Sequence, residues 1–204
     1  MKEILADLKN LSGNTVADII QKFAGEVPGY NLEFKTAYDD ESGRTAWVRN
    51  KTVNGNMQIF FNTNETTRQN VTDLAIATTM LHESVHAYLY AFFNEDKKEL
   101  KATYPELVAR FFGEKHGINI PKVQHNLMVK EFKDDIAESV YTYGMAKGYT
   151  YPKSFYQDLA WKGLLDTDGY LALPESDRNR ILNILLAEQY GKGNTTQKGN
   201  KAGC

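Results

Sequence analysis

Apolar positions change period along the chain, and each change marks an element. Val16, Ile19, Ile20 and Phe23 recur at helical spacing within residues 14–24, where Asn14 or Thr15 supplies a cap and Gly25 a stop. Beyond Pro28-Gly29 the period shortens to two. Leu32, Phe34 and Thr36, then Ala46 and Val48, then Met57, Ile59 and Phe61 predict three strands, with Asp39–Gly43 as the first turn and Asn54-Gly55 as a hairpin signal. Residues 71–93 form a long apolar run without Pro or Gly, capped by Asn70 with Asp73. A charged, solvated stretch covers Asn94–Lys101, and Pro105 then opens a helix bearing Leu107, Val108, Phe111 and Phe112 that stops at Gly117, with His116 as a carbonyl cap. Residues 122–146 predict a further helix, and 154–165 and 176–190 two more, separated by Asp166–Gly169 and Pro174. From Gly191 to Cys204 no apolar period survives, which predicts a flexible tail.

This order predicts an α+β chain with one domain over 1–190: helix plus sheet in 1–70, a central helix at 71–93, and a largely helical part at 104–190. The third strand lies a short polar connection ahead of the central helix. It is either an ordinary interior strand or a backbone ladder offered to an extended peptide.

Composition narrows the function classes. The 204 residues are 42% hydrophobic with 12 Tyr and 10 Phe, enough for a sizeable core. The 24 basic and 26 acidic residues nearly cancel, and no Lys/Arg cluster is interleaved with aromatics, so no nucleic-acid partner is expected. The start, MKEILADLKNLSG, has too short an apolar run for a signal peptide, and no membrane partner is expected. The chain reads as soluble with no targeting signal of its own. The single cysteine, Cys204, excludes an internal disulfide.

The chemistry sits in the central helix, whose one charged side chain between Leu74 and Phe93 is Glu83. His82, Glu83 and His86 form H-E-x-x-H. Two histidines four residues apart lie on one helical face and can reach one metal ion, while the glutamate projects from the adjacent strip as general acid/base. Such a site activates water and needs a third ligand. In 122–146, His125 falls on the apolar stripe of Met128, Phe132, Ile136, Ser139 and Tyr143, and is the favoured third ligand. Glu131, with Asp135 orienting an imidazole, is the alternative, and Asp135 can serve that role beside a liganding His125 as well. Tyr141 and Tyr143 are candidates to stabilise an oxyanion.

The segment TTMLHESVHAYL resembles the zincin metallopeptidases, which favour a Thr or Val three positions before the first histidine and uncharged neighbours; Thr79, Met80, Leu81, Ser84, Val85, Ala87 and Tyr88 comply. More narrowly, VADIIQKF, the third strand, LHESVHAYL, QHNLMVKEFKDDIA and YQDLAWKGL together resemble SprT-like metallopeptidase modules at the C-terminal ends of bacterial RHS-type polymorphic toxins. The resemblance implies Zn²⁺ held by His82, His86 and His125, with Glu83 as acid/base. It implies a zincin-like domain with a small three- or four-stranded twisted sheet, a protein or peptide substrate, and a cognate inhibitor or immunity protein as partner. It also implies delivery as part of a larger secreted chain. Two departures separate it from SprT-type DNA-protein crosslink proteases: 38 residues lie between His86 and His125, and the charge is near neutral. A non-catalytic zinc-containing binding module and a metal-dependent amidase acting on a non-protein substrate are the rival readings.

Overall fold

A computed structural model of the chain describes residues 1–11, 31–40, 45–48, 56–64, 70–94, 125–126, 128–130 and 132–202. The predicted helices at 14–24 and 105–117, the Asn54-Gly55 turn, His116, Glu131 and Cys204 lie outside the described residues. In chain order the elements are α1 (Lys2–Lys9), β1 (Asn31–Ala37), β2 (Ala46–Val48), β3 (Asn56–Asn62), α2 (Asp73–Asn94), α3 (Lys133–Ala146), α4 (Lys153–Leu159), α5 (Asp168–Leu171) and α6 (Glu175–Tyr190). The architecture is mixed, with a small sheet and a mostly helical C-terminal half. No helix among the described residues is long and apolar enough to cross a membrane.

The three predicted strands form one sheet in the order β1-β3-β2. β1 runs parallel to β3 with Phe34 opposite Ile59, and β2 runs antiparallel with Trp47 opposite Phe60. Alternation sorts the faces. Met57, Ile59 and Phe61 are buried in the core, while Trp47 stacks on Phe60 with centroids 5.6 Å apart and Gln58 donates to Glu33 at 2.8 Å. With partners on both sides, β3 is the interior strand, so its backbone ladder is not an open edge for a peptide.

Against this sheet packs α2, buried on all sides over Leu74–Val85. Its polar residues are accommodated locally: Thr78, Thr79 and Ser84 donate to the carbonyls of Leu74, Ala75 and Met80 at 2.8, 2.8 and 2.7 Å. The cap differs by position from the expected one. Thr72 Oγ1 accepts from the Ala75 N–H at 3.1 Å, while Asp73 Oδ1 accepts from the Leu74 N–H at 2.8 Å and also joins a buried cluster. There it accepts from the Tyr143 hydroxyl at 3.3 Å and from the Tyr149 hydroxyl at 2.8 Å.

Three boundaries move. α1, unanticipated by the pattern, buries Ile4 and Leu8 in the core and is tied to the end of α3 by Lys147, which reaches Glu3 and Asp7 at 3.2 and 2.9 Å. The helix expected over 122–146 is interrupted at Phe132, whose φ of −129° lies outside the helical region, so α3 starts at Lys133. Bonds from Phe132 N–H to Met128 C=O (2.9 Å) and from Ile136 N–H to Phe132 C=O (2.8 Å) keep the spacing helical across it. Met128, Ile136, Ser139, Val140 and Tyr143 are accordingly all fully buried. Finally, the helix expected over 154–165 ends at Leu159; Trp161 and Lys162 N–H close tighter turns onto Asp158 and Leu159 C=O at 3.3 and 3.0 Å, and Gly163, at φ +79°, then redirects the chain.

Part of the tail expected to be flexible at 191–204 is hydrogen-bonded to the fold. Residues 198–202 dock on the N-terminus of α2: Asp73 N–H donates to Asn200 C=O at 2.9 Å, Ala202 N–H to Val71 C=O at 3.0 Å, and Thr72 bridges Lys201. Glu188 anchors the turn from α6 by accepting from Thr72 Oγ1 (2.7 Å), Lys198 N–H (2.5 Å) and Gly199 N–H (3.1 Å). These bonds use mostly backbone groups, which every residue carries, so no apolar period announces them.

Candidate metal centre

His82 and His86 project from the same face of α2, and His125 lies against them. The Nε2 atoms of His82 and His86 lie 3.2 Å apart, and ring centroids are separated by 4.8 Å for His82–His86, 5.6 Å for His82–His125 and 5.3 Å for His86–His125. One nitrogen from each ring lies within 4.8 Å of the others, so the three could hold a single metal ion. Nitrogens about 2.0–2.1 Å from a tetrahedral ion stand about 3.3 Å apart, which suits the 3.2 Å pair.

Electrostatics favour a neutral His82. Burial holds the His82 imidazole well below its ordinary pKa, and His86, His125 and Lys162 push in the same direction, so its lone pair is available at neutral pH. Glu83, next in sequence, is buried with it. The ammonium of Lys162 shares this environment. Burial lowers its pKa to about 8, opposed by the Glu83 carboxylate, and its Nζ donates to Gln189 Oε1.

The turn from Trp161 to Asp166 supplies contacts that the sequence reading missed. Gly163 lies flat under His82: a Cβ there would stand 2.7 Å from Cε1 and 2.9 Å from Nε2 of that ring. His82 Nδ1 is buried and has no hydrogen-bond partner among the described residues, so packing holds this ring. On the other side of the turn, Asp166 Oδ1 lies 3.1 Å from Nδ1 of His125. A glycine inside an expected helix and an aspartate just after it were the available signals, but both read equally well as turn residues.

The remaining candidates fall elsewhere. Asp135 is exposed on α3, and among the described residues no imidazole is hydrogen-bonded to it; the carboxylate beside a histidine is Asp166. Asp135 sits on the solvent side of α3 because Ile136 and Ala137 take the core side. Tyr143 is fully buried with its hydroxyl committed to Asp73, and burial followed by that carboxylate raises its pKa. Tyr141 packs edge-on to Tyr156 at 5.3 Å with the Lys153 ammonium 4.7 Å from its ring centre. The Tyr143 hydroxyl is turned away from the histidines to Asp73. Comparison of the chain with protein-family models, with curated proteins and with solved structures finds no match in any of the three.

Proposed function

We propose that the chain is a zinc-dependent metallopeptidase of zincin-like fold, the effector module of a secreted polymorphic toxin. The observation that carries the reading is the convergence of His82, His86 and His125 on one point beside Glu83. The toxin context rests on the sequence resemblance alone.

His82, His86 and His125 would hold Zn²⁺, leaving a position open for substrate or water, as in catalytic sites with three protein ligands. Bound there, zinc supplies Lewis-acid chemistry, polarising a carbonyl and making water nucleophilic near neutral pH. The chain's own residues do the rest. Glu83 follows His82 on α2, so the helix that aims the ligand also aims the base. Its carboxylate takes the proton of the attacking water and delivers it to the leaving amine nitrogen. Burial keeps His82 neutral and ready to donate its lone pair. Lys162 places a positive charge in electrostatic range of Glu83.

Zinc content and cleavage of an unfolded protein substrate, measured for wild type, Glu83→Gln and His125→Ala, test this. Glu83→Gln is expected to keep zinc and lose about 10²–10⁴-fold in kcat, since only proton transfer is removed. His125→Ala is expected to lose both zinc and activity. Full turnover in Glu83→Gln, or unchanged zinc in His125→Ala, overturns the assignment.

A further inference from the structure

We propose that Asp166 is the positioning residue of the site: it fixes the tautomer of His125 so that Nε2 is the nitrogen presented to His82 and His86. The inference rests on the reading of those histidines as a zinc site.

Three observations converge on it. Asp166 Oδ1 stands 3.1 Å from His125 Nδ1, and a carboxylate in that place accepts a hydrogen bond from an Nδ1–H. A neutral imidazole carries one proton, so a proton on Nδ1 leaves the Nε2 lone pair free and makes it more basic. The adjoining residues are latched in the same register. Asp168 N–H donates to Asn126 Oδ1 and Asn126 Nδ2 donates to Asp168 Oδ2, both at 2.9 Å, so consecutive residues 125 and 126 are held by positions 166 and 168.

The turn that carries Asp166 is itself fixed. Leu164 and Thr167 are fully buried; Thr167 Oγ1 donates to Leu164 C=O at 2.7 Å and accepts from Tyr170 N–H at 3.2 Å, capping α5. The same turn presents Gly163 to His82. One short segment thus touches a ligand on α2 and another from residues 125–130, and sets the distance between them. Asp166 is half exposed, so its contact with His125 adds little to folding stability. Its effect should appear in metal affinity.

The experiment uses the whole chain. Nitrogen-15 histidine spectra of the zinc-free protein report the tautomer of His125. Chelator competition gives zinc affinity, and thermal melting of the zinc-free protein gives stability, for wild type, Asp166→Ala and Asp166→Asn. The expected results are an Nδ1–H tautomer in wild type that is lost in Asp166→Ala, and zinc binding weakened about 10–100-fold in that variant without a change in zinc-free melting. Asp166→Asn, which keeps an acceptor without the charge, should recover part of the affinity, and it carries the test if Asp166→Ala does not fold. An Nε2–H tautomer in wild type, or wild-type zinc affinity in Asp166→Ala, overturns the proposal. Zinc binding by wild type without proteolysis overturns the peptidase reading and leaves Asp166 in place, whereas absence of zinc binding by wild type overturns both.

Discussion

Gly163 shows how much of this site rests on a missing side chain. Its φ of +79° costs a non-glycine residue about 1–2 kcal/mol. A Cβ would also intrude on His82, the ring with no hydrogen bond at Nδ1 among the described residues. Gly148, at φ +83° with open space around it, separates the two effects. Gly148→Ala should lose about 1–2 kcal/mol in denaturant unfolding, and Gly163→Ala more, because its Cβ must also displace the buried His82 ring. Zinc affinity by chelator competition should fall in Gly163→Ala alone. Equal zinc affinity in both would show that the contact with His82 does not set the ligand. At this scale the sequence was legible where function needs a named side chain: His82, Glu83 and His86 stand in a fixed spacing that a helix converts into one face. It was opaque where a residue works by absence, as Gly163 does, or across 41 positions, as Asp166 does.

Among the elements, α2 is held at its start by the C-terminal end of the sequence. The strap of residues 198–202 covers its first turn, and Glu188, 1% exposed, gathers a hydroxyl and two backbone N–H groups into one carboxylate. Glu188→Ala would leave the buried Thr72 hydroxyl and the half-buried N–H groups of Lys198 and Gly199 without their acceptor, a loss of about 1–3 kcal/mol. Urea unfolding measures it. Zinc affinity should be unaffected, because Thr72, the contact of Glu188 at the start of α2, lies ten residues ahead of His82. An unchanged midpoint would mean that the strap adds nothing to the fold. The helix itself was readable from its uninterrupted apolar run, and the strands from their alternation. The strap was not, because its bonds are made by backbone atoms. The break at Phe132 escaped the periodicity too, since the buried positions on either side of it keep helical spacing.

For the molecule as a whole, the apolar core is assembled from side chains other than the three histidines. Met57 and Ile59 of the sheet, Leu74, Met80, Leu81 and Val85 of α2, and Ile136, Val140 and Tyr143 of α3 belong to one buried apolar cluster. Dialysis against a chelator should therefore leave helical circular dichroism and a cooperative melt, while abolishing cleavage. Restoring zinc at about 100 times its Kd should add about 2.7 kcal/mol. Unfolding on metal removal would mark the site as structural instead.

The sequence by itself determined the central helix, the pairing of His82 and His86 on one face of it, and the three strands with their inward Met57, Ile59 and Phe61. All of these are local: a period of 3.6 or 2 fixes which side chains share a face. Only the tertiary structure decided that β3 is interior, that His125 meets the other two histidines, and that Asp166 rather than Asp135 stands beside it. Those outcomes depend on how turns close and how helices pack, and the turn at 161–166 bends at a glycine whose partner, the ring of His82, lies 81 positions away in the chain.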